Sequence, residues 1–249
     1  MDGSVIDYLE EYIEQIIMEE FKEPEYEQDK LSFMEEICKK YWNNSAVRRY
    51  CIDRYFERKD YDRVLQVLDE SIKLDKAYQG LILEYNQKKK EIYRLQGNKS
   101  AYIEQLWKLV LEQSAGNLDI YKELKAQYSE EEWLTKREEL FKKLPANAHI
   151  DRMYKEEKLY DRLLAYVLKS SGLYAVQTYE NVLKKEYPKQ ILNKYQDEVN
   201  KMASYTGNRK HYASLVALLR RMKRIKGGTA IVETIVEEWR IKYRNRPAM

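Results

Sequence analysis

The sequence predicts an all-α protein, an alpha-alpha superhelix of stacked, degenerate helical hairpins. Three observations lead there. Helix breakers are scarce: 249 residues include only eight Gly and four Pro, while 35% are charged, 44% are hydrophobic and 23 are Tyr. That composition favours helix and excludes a disordered chain, which would carry fewer aromatic and branched apolar residues. Apolar residues recur at helical spacing, and no stretch alternates with period two for long enough to make a strand. Finally, the chain nearly repeats itself: RYFERKDYDRVLQVL at 54–68 returns as MYKEEKLYDRLLAYV at 153–167, 99 residues on.

The first expected helix covers residues 5–21. Ser4 precedes it as a cap, Val5, Leu9, Ile13 and Ile16 make its apolar stripe, and Pro24 ends it. Leu31, Met34 and Ile37 begin a second helix that reaches Trp42, where Asn43 and Asn44 break the pattern and Ser45 is the expected cap of the next. Residues 1–43 are therefore expected to form an N-terminal helical cap on a single helical-repeat domain spanning 1–249. Further along, Gly97, Gly116, Pro145, Gly172, Gly207 and the pair Gly227–Gly228 punctuate the periodic stretches. Ser129, followed by three Glu, caps one helix, and Pro188 suits the first turn of another. The pattern predicts about fourteen helices of roughly 10–20 residues with short connections.

The doubled phrase reduces to an aromatic residue followed by apolar residues four and seven positions later. Tyr61, Leu65, Leu68 and Tyr160, Leu164, Val167 carry it, and the same code recurs as Tyr102, Leu106, Leu109 and as Tyr212, Val216, Leu219. Those spacings put each trio on one helical face. Intervals of 41, 58 and 52 residues leave room for one or two further helices between copies. A strict 34-residue tetratricopeptide period is absent, so a degenerate, tetratricopeptide-like array is the expectation. Such hairpins cannot bury their apolar faces singly and must stack, which offers an extended surface to another chain.

Net charge is only +3, but residues 1–36 hold 13 acids and two lysines, a local −11. Residues 205–249 hold 11 Lys or Arg against three Glu, a local +8. These basic residues are Arg209, Lys210, Arg220, Arg221, Lys223, Arg224, Lys226, Arg240, Lys242, Arg244 and Arg246. They are the candidate contact for nucleic acid or for an acidic partner. The plainer explanation is a set of solvated helix faces. The opposed ends also allow self-association, the acidic start of one copy meeting the basic end of another.

Three stretches, 74–112, 120–133 and 208–228, resemble the C-terminal helical region of bacterial SWIM-type zinc-finger proteins. The markers are Tyr121, Lys122, Leu124 and Lys125, then Trp133, and the pair Arg209 and Tyr212. The family's Cys-x-Cys and Cys-x-His zinc motif has no counterpart here. The resemblance thus implies a fragment or a lone copy of the helical accessory region, without the contact chemistry of the finger.

Catalytic and metal chemistry find little footing. The two histidines, His149 and His211, lie 62 residues apart and beside no cysteine, against the close spacing that zinc ligands require. No cofactor or metal is expected. Cys38 and Cys51 are read as reduced, partly buried thiols of a cytoplasmic protein. The acidic N-terminus is no secretory signal, and no run is apolar enough to span a membrane. The expected activity is a non-catalytic scaffold for protein–protein interaction, with nucleic-acid binding by the basic C-terminal helices as the alternative.

Overall fold

A computed structural model describes residues 15, 35–36, 38–205 and 208–244. All of the expected helix over 5–21 except Gln15, most of the cap over 1–43, Gly207 and Arg246 lie outside the described residues. Among the described residues every regular element is helical: α1 (Ser45–Glu57), α2 (Tyr61–Leu74), α3 (Gln79–Leu95), α4 (Lys99–Lys108), a π-helical turn (Leu109–Gln113), α5 (Leu118–Lys125), α6 (Glu130–Lys143), α7 (Ile150–Glu156), α8 (Tyr160–Lys169), α9 (Tyr174–Leu183), α10 (Pro188–Ser204), α11 (Arg209–Lys223) and α12 (Gly228–Lys242). The all-α expectation is borne out. Several elements are shorter than expected, α7 having seven residues and α5 eight. The chain divides into two compact units, 1–150 and 151–249.

Local chemistry accounts for most boundaries. Ser129 and Glu132 form a reciprocal capping box at the head of α6, and Pro188 occupies the first turn of α10. Asn44, not Ser45, caps α1: its side chain accepts from the Ala46 N–H at 2.9 Å. At the joint before α12, Gly227 adopts φ 84° and Gly228 lies against the Met222 carbonyl, where a Cβ would collide with backbone.

The doubled phrase is a doubled corner. At the first copy the Asp60 N–H donates to the Tyr55 carbonyl at 3.0 Å and the Lys59 N–H to Phe56 at 2.9 Å. At the second, Leu159 donates to Tyr154 at 2.9 Å and Lys158 to Lys155 at 3.2 Å. Each is a Schellman ending, closed by a lysine in the left-handed region, φ 60° at Lys59 and 56° at Lys158. The next helix begins two residues later, at Tyr61 and at Tyr160. A third corner follows the same plan: Asn98 donates to Tyr93 at 2.9 Å, Gly97 to Arg94 at 3.1 Å, and Gly97 has φ 68°.

That corner revises the register of the stripe. Measured from it, Val64 and Leu68 of α2 correspond to Tyr102 and Leu106 of α4 and to Leu163 and Val167 of α8, all buried. The trio beginning at Tyr102 therefore starts three residues later in its helix than the trios at Tyr61 and Tyr160. The fourth trio fails at its middle member: Val216 is 45% exposed, and α11 buries Leu215, Leu218 and Met222 beside Tyr212 and Leu219.

In the first unit, α1 packs on α2, α2 on α3, α3 on α4, and α4 on α5. In the second, α8 to α12 pack in succession, with α8 also meeting α10 and α10 meeting α12. All these principal contacts join elements adjacent or next-but-one along the chain. Connections of three to six residues keep neighbours close.

Tyrosine hydroxyls cross many of these interfaces. Tyr85 on α3 donates to Asp75 at 2.7 Å, Tyr195 on α10 to Glu180 of α9 at 2.6 Å, and Tyr187 to Asp161 of α8 at 2.7 Å. Tyr102 on α4 donates to Glu123 of α5, and Tyr179 on α9 to Asp151 of α7. Asp75 also holds the fully buried Arg48 at 2.5 Å, whose Nε reaches Ser71 at 3.1 Å. A buried Arg–Asp pair needs such extra partners to offset desolvation.

The cysteines differ from expectation. Cys38 and Cys51 are joined as a disulfide, with Cα atoms 6.8 Å apart and both residues buried in the first unit's core. The reading of two reduced thiols is corrected. They stand on facing surfaces either side of the Asn43–Asn44 turn, a juxtaposition that a spacing of 13 residues in sequence does not disclose.

Two outcomes follow. Lys59→Gly and Lys158→Gly should each raise stability, by up to about 1 kcal/mol, because a side chain in the left-handed region is strained; Val there should lower it. Denaturant midpoints check both. Burial, together with hydrogen bonding to Glu123, raises the Tyr102 hydroxyl from 10.0 to about 12. Burial and the Asp75, Asp151 and Glu180 carboxylates likewise raise Tyr85, Tyr179 and Tyr195. Their protonated forms favour the fold, so this stabilisation is complete below pH 10 and is lost as pH climbs through the raised values. Tyrosinate absorbance should appear in two phases, exposed phenols first and these four together with loss of helical circular dichroism.

Candidate functional site

The helices α9 and α11 bound an open basic groove in the second unit, about 430 Å³ in volume. Glu180, Asn181 and Lys184 line it from the α9 side, and Ala217, Arg220, Arg221 and Arg224 from the α11 side. Residues 217, 220, 221 and 224 share one helical face by their spacing of three and four. Four cations face one carboxylate, a net of +3.

Arg221 is fixed in place. Its Nε donates to Glu180 at 2.5 Å and its Nη2 to the Gln177 carbonyl at 2.9 Å. Glu180 is buried and accepts from Tyr195 as well, so three successive helices meet at one carboxylate. Lys184 stands 3.6 Å from its other oxygen. Arg220 and Arg224 are exposed and form no ion pair among the described residues. Both helices end at this groove, and the negative end of a helix dipole favours cations in the last turn. That alone explains a basic residue or two; the uncompensated pair beside a fixed third guanidinium makes the groove an anion acceptor.

The other predicted basic residues scatter. Arg209 and Lys210 are exposed on the first turn of α11, about 16 Å along the axis from Arg220 at 1.5 Å per residue. Lys223 and Lys226 are exposed near the α11–α12 joint, outside the groove lining. Arg240 pairs with Glu237 at 2.6 Å, Lys242 lies over the Tyr243 ring at 5.5 Å, and Arg244 is exposed beyond α12. Lys184 escaped sequence reasoning. It belongs to another helix, and only the pairing of α9 with α11, two elements on, brings it to the arginines.

A second cavity of about 400 Å³ lies in the first unit, where Trp42, Tyr55, Arg63 and Glu70 surround the Cys38 side of the disulfide. With both sulfurs bonded, neither serves there as a nucleophile. Among the described residues no group of three or more His, Cys, Asp or Glu is placed to hold a metal ion, and no helix is long and apolar enough to cross a membrane. His149 is exposed just before α7. His211 is half-buried, its Nε2 donating to the Met202 carbonyl at 3.2 Å.

The markers of the family resemblance are mostly core. Tyr121, Leu124 and Trp133 are buried, with the Tyr121 and Trp133 rings 5.2 Å apart, edge to face. They hold α5 to α6. Comparison with known proteins yields no matching family model and no matching curated protein.

Glu180→Ala should lower the stability of the second unit by about 1–3 kcal/mol, because the Tyr195 hydroxyl and Arg221 both lose their acceptor. Lys184→Ala should stay within about 0.5 kcal/mol of the parent. Chemical denaturation of both variants provides the comparison.

Proposed function

We propose that this chain is a non-catalytic helical-repeat scaffold for protein–protein interaction, a tetratricopeptide-like superhelix akin to the accessory helical region of SWIM-type zinc-finger proteins and working in the cytoplasm. The observation that supports it is the contact pattern: α1 to α5 in the first unit and α8 to α12 in the second pack on neighbours adjacent or next-but-one in sequence, and three corners repeat the same backbone. Stacks of this kind present surface rather than a closed active site. In the cytoplasm the Cys38–Cys51 bond would belong to the transient, redox-responsive class.

One observation favours the second reading, nucleic-acid binding: Lys184, Arg220, Arg221 and Arg224 converge in one groove. Four phosphates engaged would give a slope of log affinity against log salt near −3 for a single strand. The groove lining contains no aromatic side chain on which a base could stack, which places this reading second.

Affinity capture from the source cells at moderate salt, with protein and nucleic acid both quantified, tests the scaffold reading. The expected result is a discrete protein partner that survives nuclease treatment. Recovery of nucleic acid alone, lost in the Arg220→Glu/Arg224→Glu variant, would transfer the function to the second reading.

A further inference from the structure

We infer that the α9–α11 groove receives the acidic stretch 23–29 of a second copy of this chain. The inference rests on the scaffold reading and names one partner of its groove. The groove side of the pairing is a ladder of cations. Arg220 and Arg224 are one helical turn apart, about 6 Å along the axis, with Arg221 held by Glu180 and Gln177 and Lys184 opposite. Glu180 is already engaged by Arg221, Lys184 and Tyr195, so the free capacity of the groove is for added carboxylates.

The partner side is written in the sequence. Residues 23–29 read EPEYEQD, with Glu23, Glu25, Glu27 and Asp29 at every second position and no basic residue among them. Alternate residues of an extended chain fall on one edge about 6.8 Å apart, close to the rise between Arg220 and Arg224. Pro24 has no backbone N–H to donate. Two of those carboxylates, one such step apart, thus meet Arg220 and Arg224, the two groove cations with no ion pair among the described residues, and Arg–carboxylate contacts can be bidentate. The surrounding charge acts in the same sense: residues 1–36 carry a net −11 and residues 205–249 a net +8, which accelerates encounter at low salt. Phosphates would satisfy the same cations but offer no reason for the alternating acids.

A labelled peptide of residues 19–31 is titrated by fluorescence anisotropy into the full chain at low protein concentration, and the mass of the unlabelled chain is followed by light scattering across concentration and salt. The expected result is saturable peptide binding that weakens with salt. It should fall at least tenfold in Arg220→Glu/Arg224→Glu, and also with a peptide in which the four acids are replaced by Gln and Asn. The wild-type mass should rise with concentration at low salt while the double variant remains monomeric, its helical circular dichroism unchanged. Mixing that variant with chain carrying Lys at 23, 25, 27 and 29 should restore association. Absent peptide binding, binding indifferent to the charge reversal, a wild-type chain monomeric at every concentration, or a dT oligonucleotide occupying the groove while the peptide does not, would each overturn the inference. A nuclease-resistant protein partner captured alongside such a failure would leave the scaffold reading standing.

Discussion

The hydrogen bond from a tyrosine hydroxyl to a carboxylate on a nearby helical segment is the interaction on which this structure depends. Among the described residues such bonds recur at Tyr55, Tyr85, Tyr102, Tyr179, Tyr187 and Tyr195. At the buried bonds of Tyr85, Tyr179 and Tyr195 a hydrogen bond to a charged group contributes about 1.5–3 kcal/mol, and a carboxylate enclosed without one would oppose packing. The phenol also supplies a broad apolar face to the same interface. Several of these carboxylates serve a third group. Asp75 takes Arg48, Glu180 takes Arg221, and Glu123 takes Lys90 at 2.6 Å. Burial pushes the Glu123 carboxyl upward, but the bonds from Lys90 and Tyr102 outweigh that and hold it below 4.5. Its contribution is therefore present above that value and fades as pH falls through the lowered one.

Much of the fold was legible because helix boundaries are written in local chemistry. Ser129, Pro188, Gly97 and Gly227 act within a few residues of where they stand, and each marks the break that its type implies. The doubled phrase was legible as repetition, but its meaning as a corner was not, since the left-handed residue is Lys in two copies and Gly in the third. Aligning on the aromatic residue then misplaced α4 by three positions. Val216 misled because an apolar residue at helical spacing can still face water; only the neighbours of α11 decide which face is covered.

The candidate site was half legible. Arg220, Arg221 and Arg224 stand close in sequence, and their proximity in space follows from one helix. Lys184 and Glu180 come from a helix some forty residues earlier, and no local signal connects them. The tyrosine excess could be read as packing or as a binding surface, and here its carboxylate partners assign much of it to packing. The cysteine pair shows the same limit: membership in one core is a long-range fact, which spacing alone does not carry.

The corners at 54–61 and 153–160 share hydrogen bonds, left-handed residue and helix start. The two joints share one backbone. Recombination between the two copies would delete or duplicate a block of 99 residues while leaving the junction's backbone as it was. The backbone of the turn itself therefore sets no barrier to a change of chain length at these two points, and the cost of one would fall on the helix faces it brought together.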